Sequence, residues 1–327
     1  MSPEADGSDE APGEPPGDTP DALVPDALVT VASDVDLHLS LGVLRRGTGD
    51  PTYQVTASGA IWRGCLTPHG PGTVRVRRDG PLVEIAAWGD GAAWLVKQGP
   101  AMIGSEDELG DFPELAAGHP LLREALRRYS GLRLIRTGLV MHSLIPAILE
   151  QRVTTGEAYR AWRQLVRRHG IAAPGPVPPG LKVPPPARVW TLIPSWEWHR
   201  AGVDGKRSAA VVRAARLAAS LEHTVYLPHA EAAERLQVVP GIGVWTTAET
   251  MQRAHGYADA LSVGDYHLSK QIGYAMAGER NADDARMIEL LAPFRPHRHR
   301  AARLLLLTGP GRARRAPRLA PADHRWH

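Results

Sequence analysis

The chain has little of what disulfides and most metal sites require. Of its 327 residues only Cys65 is a cysteine, which excludes an internal disulfide, a cysteine-rich zinc site and a four-cysteine iron–sulfur cluster. Its 14 histidines include no HExxH motif or comparable paired spacing. We therefore expect that no cofactor is required for its function.

Long apolar segments are missing as well. Apolar runs such as residues 304–307 with their neighbours are far shorter than the roughly 20 residues that cross a bilayer. The first residues are acidic and Pro-rich, unlike a signal peptide. The sequence has no GxSxG elbow, P-loop or Rossmann glycine pattern that would indicate a different hydrolase. We therefore expect a cytoplasmic protein that does not contact the membrane.

Positive charge is concentrated outside the N-terminal segment. Residues 1–26 contain no Lys or Arg but carry eight acidic residues, which are Glu4, Asp6, Asp9, Glu10, Glu14, Asp18, Asp21 and Asp26. Removing these eight from the 35 Asp and Glu leaves 27 acidic residues against 38 Lys and Arg, a surplus of 11 positive charges. Such a surplus is typical of proteins that bind a polyanion, although charge alone does not identify one.

Composition changes along the chain predict four segments. Residues 1–27 are too rich in Pro, Gly and acidic residues to bury a core, so we expect an acidic disordered tail. Residues 28–115 contain short alternating runs typical of a small antiparallel sheet domain. Helical periods dominate residues 116–308, and residues 309–327 are predicted to be a basic flexible tail. The predicted fold class is mainly α with an N-terminal α+β part.

Turn and cap signals predict individual elements. Alternating runs flank Asp79-Gly80, a strong hairpin signal, and residues 92–96 are interpreted as the next strand. Thr154 and Asn281, each followed three residues later by an acidic residue, are predicted helix N-caps. Helices are predicted over residues 120–129, 140–151, 154–169, 206–221, 230–238, 244–255, 266–277, 283–291 and 297–307.

The most informative stretch is a tight turn between two predicted helices. Residues 240–243, Pro-Gly-Ile-Gly, separate a helix that ends near Val239 from one that begins near Val244. Glycines in such a turn allow backbone conformations closed to other residues and keep side chains off the surface. N–H groups at the start of the second helix can then hold a phosphate, a contact that reads no base sequence. The alternative is an ordinary connection between two helices.

A carboxylate follows this turn at a suitable distance. Asp265 lies 20 residues beyond Trp245 and directly before another predicted helix, the usual position of an N-cap. A carboxylate that caps a helix is held in a fixed position, and the same fixed carboxylate can also act in catalysis. Cleavage of an N-glycosidic bond needs an anion near C1′ that stabilises an oxocarbenium-like transition state and orients water. Asp265 is therefore the candidate catalytic residue.

Together these residues resemble a known family. Pro-Gly-Ile-Gly at 240–243, followed by Val-Gly-Asp-Tyr-His at 263–267, is similar to the helix-hairpin-helix–GPD superfamily of DNA glycosylases. Within it, the sequence resembles the 3-methyladenine (alkylated purine) DNA glycosylase II branch of the actinobacterial type. Residues 144–153 resemble that family's helix ending in a loop that inserts into DNA, and residues 293–298 its late Pro-Phe-Arg segment. The resemblance, which includes the small sheet domain, covers roughly residues 40–310.

The resemblance implies a DNA repair enzyme, a monomer at the nucleoid, whose partner is double-stranded DNA with a damaged base. Asp265 matches the catalytic Asp, and Trp245 occupies the position where bifunctional members place a Schiff-base lysine. Because a tryptophan cannot form an imine, the implied enzyme is monofunctional and uses water. Arg152 takes the place of the wedge that fills the gap left by the flipped base. In the family, backbone carbonyls at three positions coordinate a structural Na⁺ or K⁺. The matching residues in this sequence are Gln237, Val239 and Ile242.

Contacts with the base and with DNA are predicted from residue type. A flipped base needs flat aromatic walls, for which the candidates are Trp196, Trp198, Trp245 and Tyr226; core positions are the alternative for these rings. The predicted DNA-binding residues besides Arg152 are Gln151, Lys206, Arg207, Pro240, Gly241, Ile242, Gly243, Val244, Thr246, His267 and Arg298. Arg300 and Arg303 are interpreted as further phosphate contacts. Glu249 and Leu306 replace a pocket Tyr and Trp of the family, which weakens the assignment to alkyladenine.

Two functions of different classes fit these residues. The first is a glycosylase that flips a damaged base, an alkylated purine, out of duplex DNA and hydrolyses its N-glycosidic bond. The second is a catalytically silent helix-hairpin-helix protein that only binds DNA. Asp265 favours the first, because binding alone has no evident need for a carboxylate at that place.

Overall fold

The computed structural model describes residues 24–308. The acidic tail predicted for residues 1–27 lies almost wholly outside the described residues, and the basic tail predicted for residues 309–327 lies entirely outside them. Most of the described chain is helical, and a sheet lies near its N-terminal end. Within residues 24–308, no helix has the length and apolar character needed to cross a membrane.

Five antiparallel strands form the main sheet. They are β1 (Ala27–Ala32), β2 (Tyr53–Val55), β3 (Ile61–Thr67), β4 (Gly70–Asp79) and β5 (Leu82–Trp88), in the order β1-β5-β4-β3-β2. In the β4–β5 pair Asp79 lies opposite Leu82 and Gly80 has φ +56°. The hairpin predicted at Asp79-Gly80 is therefore confirmed. Two short strands, β6 (Ile171–Ala172) and β7 (Lys182–Val183), pair with each other.

A helix packs on this sheet where the sequence predicts a strand. Residues 92–96 begin α2 (Ala92–Ile103), so the strand prediction is wrong. Leu95, Met102 and Ile103 recur at helical spacing and are buried in one core with the strands. A short apolar run is compatible with both a buried strand and a buried helix, so its sequence alone does not determine which one forms. Here the run packs as a helix against the sheet.

The helices predicted from residue 120 onward are present with shifted ends. They are α4 (Pro120–Arg128), α5 (Val140–Leu149), α6 (Thr155–His169), α9 (Gly205–Arg216), α10 (Ala218–Glu222), α11 (His229–Gln237), α12 (Val244–Ala254), α13 (Leu268–Ala277), α14 (Asp284–Leu291) and α15 (Arg298–Thr308). The helix predicted over residues 206–221 is divided at Leu217. Four helices too short for a periodic pattern are additional, namely α1 (Leu37–Leu41), α3 (Phe112–Ala117), α7 (Ala187–Leu192) and α8 (Ser195–Arg200).

One of the two predicted N-caps is confirmed. The Thr154 hydroxyl accepts from the backbone N–H of Glu157, whose carboxylate accepts from the Thr154 N–H, so a capping box begins α6. The Asn281 cap is wrong, because Asp283 caps α14 by accepting from the N–H of Arg286 at 2.9 Å.

Three large apolar cores hold the described chain together. The first lies inside the sheet and α2, and the second packs α5, α6, α9 and α12 around the stacked rings of Trp162, Trp190 and Trp198. The third joins α3 and α4 to α13, α14 and α15. The predicted border between residues 115 and 116 falls inside α3, and the division into domains stays a prediction.

A hydrogen bond connects the sheet with α5. The backbone N–H of Leu66 in β3 donates to Nε2 of His142 at 3.0 Å. Burial and the neighbouring Arg63 lower the pKa of His142 to about 3. The neutral imidazole is the form that can accept this bond, so protonation of His142 breaks the connection.

We expect the protein to lose stability when the pH falls below 6.5. His142 has a pKa near 6.5 when unfolded and about 3 when folded, so its stabilising contribution is complete above pH 6.5 and is lost as the pH falls toward 3. His142→Asn should lower the free energy of unfolding by about 1 kcal/mol at neutral pH and make the decline toward pH 5 shallower. Urea unfolding at both pH values measures this, with the exposed His199→Asn as matched control. Equal declines in the two variants would contradict the assignment.

Candidate active site and nucleic-acid interface

The turn between α11 and α12 has the geometry of a phosphate grip. Val239 and Ile242 are buried, and the Ile242 N–H donates to the Val239 carbonyl at 3.0 Å. Pro240, Gly241 and Gly243 are exposed at the tip. No side chain caps the N-terminus of α12, which begins after Gly243. The first N–H groups of α12 are therefore available to an anion.

Two side chains from neighbouring elements hold this turn. Nε of Arg213, in α9, donates to the carbonyl of Pro240 at 2.9 Å. Nε2 of Gln151, in the loop after α5, donates to the carbonyl of Gly241 at 2.9 Å and to the Thr246 hydroxyl at 2.8 Å. Thr246 is buried, so its visible role is to anchor Gln151. The loop after α5 and the turn thus form one continuous surface.

The predicted wedge, Arg152, follows Gln151 on this surface. Its side chain is exposed, and its backbone has φ +55°, the only positive φ of a non-glycine residue within residues 24–308. Such a conformation is uncommon for a residue with a Cβ and persists where the surroundings impose it. Here the Gln151 contacts on one side and the capping box of α6 on the other fix the loop. Insertion of Arg152 into DNA stays a prediction.

The Asp265 carboxylate is fixed by both of its oxygens. Oδ1 accepts from the backbone N–H groups of His267 and Leu268, each at 2.9 Å. Oδ2 accepts from the indole Nε1 of Trp245 at 3.1 Å. α13 begins at Leu268 with His267 as its N-cap residue, so the predicted N-cap position of Asp265 is wrong. Asp265 instead holds the turn before α13 and contacts the first turn of α12 as well. This contact places the candidate catalytic carboxylate beside the helix whose N-terminus has no side-chain cap.

A polar network continues from this contact along α12. The Ser262 hydroxyl donates to Oε1 of Glu249 at 2.6 Å, and Nε2 of Gln252 donates to the Ser262 hydroxyl at 2.8 Å. Nη1 of Arg253 donates to Oε2 of Glu249 at 2.7 Å. Burial lowers the pKa of Arg253, but the carboxylates of Glu249 and Glu150 outweigh burial and raise it above its ordinary value. This network was not predicted from the sequence, although the four-residue spacing of Glu249 and Arg253 is typical of an ion pair on a helix.

The predicted aromatic walls are not brought together. Trp198 is buried, donates to the Ile193 carbonyl at 3.1 Å and stacks on Trp190, so it belongs to the core and the structure disagrees with its predicted pocket role. Trp196 lies 51% exposed between the guanidinium groups of Arg168 and Arg200, and Tyr226 is 73% exposed. Of the four candidate rings in the described chain, only that of Trp245 has a hydrogen bond to Asp265.

The predicted basic DNA-binding residues differ in whether their side chains are exposed or already bonded within the protein. Lys206 and His267 are exposed at the start of α9 and α13. Arg207 is buried and donates to the carbonyls of Leu149 and Gly202, so it holds the start of α9 in place. Arg298 forms an ion pair with Asp259, so a DNA phosphate could bind Arg298 only in competition with the Asp259 carboxylate.

Two further arginines on the last helix point inward. Arg300 forms a buried ion pair with Asp107 at 2.6 Å, and half-buried Arg303 donates to the carbonyl of Leu39 at 2.6 Å. Their interpretation as phosphate contacts is wrong. Their partners lie about 190 and 260 residues away in sequence, which explains why the charge pattern alone misled.

The carbonyls predicted to hold a monovalent cation are compatible with that role. No hydrogen bond within residues 24–308 uses the carbonyls of Gln237 or Ile242, and that of Val239 accepts one bond and keeps a second lone pair. Among the same residues no group of three or more His, Cys, Asp or Glu side chains could hold a metal ion. The cation site stays a prediction.

Comparison with known proteins gives one sequence relative of interest. No protein-family model matches the chain. Its sequence is similar to that of the DNA-3-methyladenine glycosylase of Bacillus subtilis (strain 168), with 25% identity over 194 residues, or 58% of this chain. The chain spans 64% of that relative's length.

Solved structures match over a larger part of the chain. The 3-methyladenine DNA glycosylase from Archaeoglobus fulgidus has a TM-score of 0.71 at 16% identity and covers 86% of this chain and 98% of its own. The 8-oxoguanine glycosylase/lyase of Clostridium acetobutylicum in its apo form has a TM-score of 0.67 at 13% identity, over 88% of this chain and 100% of its own. The described chain therefore has the helix-hairpin-helix DNA glycosylase fold, mainly helical with a small antiparallel sheet, as the sequence predicts.

Proposed function

We propose that the protein is a DNA repair glycosylase that flips a damaged base, an alkylated purine, out of duplex DNA and hydrolyses its N-glycosidic bond. The observation that carries this proposal is the 3.1 Å hydrogen bond from Trp245 to Asp265. It joins a fixed carboxylate to the helix that presents free N–H groups at the exposed turn. A protein that only binds DNA has no need for this arrangement.

The chemistry follows from the position of the carboxylate. As the bond between C1′ and the base nitrogen breaks, its electron pair leaves with the base and positive charge develops on the sugar. The Asp265 carboxylate stabilises that charge, orients the water that adds to C1′ and accepts the proton that this water loses. No amine stands in the place of Trp245, so the product is an abasic site in an intact strand.

Binding precedes this step. The N–H groups at the start of α12 hold a phosphate. The carbonyls of Gln237, Val239 and Ile242 would hold a Na⁺ or K⁺, which would supply positive charge beside that phosphate. Arg152 fills the gap left by the flipped base, which offsets part of the unstacking cost of a few kcal/mol. Exposed Lys206 adds a phosphate contact on the other strand. The enzyme acts as a monomer on nucleoid DNA.

The branch within the glycosylases belongs to the proposal too. The relative in Bacillus subtilis is named a DNA-3-methyladenine glycosylase, which agrees with the resemblance to the 3-methyladenine DNA glycosylase II branch. The structure from Clostridium acetobutylicum is named a glycosylase/lyase. Since Trp245 cannot serve as an amine nucleophile, we favour the monofunctional branch for this chain.

The test is base release from defined duplexes. Duplexes with single 3-methyladenine, 7-methylguanine, hypoxanthine, ethenoadenine, uracil or 8-oxoguanine are incubated with the protein, and the strand is then cleaved at abasic sites with alkali. We expect alkali-dependent cleavage for at least one alkylated purine. DNA binding without release from any duplex would establish the silent DNA-binding protein instead. Strand cleavage without alkali would overturn the monofunctional mechanism.

A further inference from the structure

An exposed tryptophan lies where α6 and α8 meet. The ring of Trp196 in α8 is 51% exposed, and the guanidinium carbons of Arg168 in α6 and Arg200 in α8 lie 5.6 and 4.9 Å from its centroid. Cation–π attraction holds each guanidinium group at the ring, so the ring sets the spacing of the two cations. We refer to Arg168, Trp196 and Arg200 as the arginine–tryptophan patch.

Both guanidinium groups keep N–H donors for an anion. Within residues 24–308, Arg200 makes no hydrogen bond or ion pair, and Arg168 makes one ion pair, from Nε to the Glu197 carboxylate at 2.8 Å. A guanidinium group has five N–H donors, so most donors of the two arginines are unused inside the protein. Glu197 is buried and shares its carboxylate with His169, so Arg200 has no counter-charge in contact. The patch is therefore complementary to an anion, and its guanidinium forks match carboxylates.

The patch is remote from the candidate DNA-binding surface. The loop that carries Arg152 precedes α6, which begins at Thr155, and Arg168 lies 13 residues after Thr155 on the same helix. At about 1.5 Å per residue, Thr155 and Arg168 are about 20 Å apart along the helix axis. A phosphate bound beside Arg152 is therefore too far away to contact the patch, which favours a different anion.

The N-terminal segment of the chain meets the sheet close to the end of α6. The Asp26 carboxylate, just before β1, accepts from the backbone N–H of Gly89 at 2.7 Å. A Cβ added at Gly89 would lie 2.4 Å from Cγ of Pro174, so these two residues are in contact. Pro174 follows Arg168 by six residues, which can span at most about 21 Å. The 23 residues that precede Val24 can span roughly 75 Å, which is more than enough to reach the patch.

We infer that residues 1–23 dock on the arginine–tryptophan patch through their carboxylates. This inference does not depend on the proposed glycosylase function. The segment contains seven acidic residues and no Lys or Arg, so its charge is opposite to that of the patch along its whole length. A segment tethered this close to the patch is present there at an effective concentration of about 1 mM, so ion pairs that are individually weak suffice to hold it.

The test uses a bimane label in the acidic segment of the full chain. Cys65 is fully buried, and burial raises the pKa of its thiol, so bimane reacts only with the thiol introduced by Ser8→Cys. Bimane emission is quenched by a tryptophan in contact with the label. We expect Trp196→Phe to raise the emission about twofold, as for a segment that is docked about half of the time. The half-exposed Trp94→Phe in α2 is the matched control and should leave the emission unchanged.

Charge reversal in the patch distinguishes docking of the segment from contact with DNA. Arg200→Glu keeps Trp196 but repels the acidic segment, so it should raise the emission as Trp196→Phe does. Salt at about 1 M, which screens charges beyond about 3 Å, should do the same in the unreversed protein. The exposed Arg280→Glu is the matched control and should change nothing. Unchanged emission in either Trp196→Phe or Arg200→Glu would overturn the inference. If Arg200→Glu leaves the emission unchanged and weakens binding to a duplex with a tetrahydrofuran abasic analogue, the patch binds DNA phosphates instead.

Discussion

Asp265→Asn is expected to slow base release on the order of 10³-fold. The substitution removes the negative charge that stabilises the positively charged sugar but keeps the size of the side chain. Its amide oxygen can still accept from the N–H groups of His267 and Leu268, so the turn before α13 stays in place and only the bond from Nε1 of Trp245 loses its acceptor. The fold and the affinity for an abasic-analogue duplex should therefore remain unchanged. A loss confined to the chemical step is the signature of an interaction made in the transition state.

Single-turnover release of the best substrate measures this effect, and anisotropy on the abasic-analogue duplex measures binding. Asp283→Asn is the matched control, because Asp283 likewise accepts from a backbone N–H at the start of a helix, α14, without a contact to Trp245 in the described chain. It should release the base at the wild-type rate. Release by Asp265→Asn within about tenfold of the wild type would remove Asp265 from the chemistry and favour a different anion.

The sequence predicted those parts of the site that are determined by residues close together in the chain. The turn at residues 240–243 follows from its Pro and Gly residues, and Asp265 is held by backbone N–H groups only two and three residues further along the chain. The fold follows from the period of the helices and the hairpin at Asp79-Gly80. In each case a few neighbouring residues suffice to determine the structure.

The parts that the sequence did not predict depend on partners far along the chain. Trp198 and Trp196 are two residues apart, yet one is in the core and the other is exposed, because packing of α8 against α9 decides which side is covered. Arg46 and Glu150 approach within 3.5 Å across about 100 residues of sequence. No pattern within one segment contains that information.

Substitution by alanine is expected to lower the free energy of unfolding at Gly241 but not at Gly243, although both glycines lie in the same turn. Gly241 has φ +98°, and a Cβ there would lie 2.9 Å from Cβ of Ala210 in α9. Gly241→Ala should therefore lower the free energy of unfolding by about 1–3 kcal/mol through strain. Gly243 has an extended backbone, φ −101° and ψ −175°, and a Cβ there would meet nothing within 4 Å. Gly243→Ala should leave stability within about 0.5 kcal/mol of the wild type.

The same pair separates folding from DNA binding. The protein interior places no demand for glycine at position 243, and the open space there adjoins the N–H groups at the start of α12. A phosphate that approaches this backbone closely would collide with a Cβ, so Gly243→Ala should weaken duplex binding about tenfold despite its normal stability. Urea unfolding and fluorescence anisotropy on the abasic-analogue duplex measure the two quantities. Unchanged DNA affinity in Gly243→Ala would falsify the assignment of this turn as the phosphate grip, because only a ligand outside the chain can fill the space that this glycine leaves open.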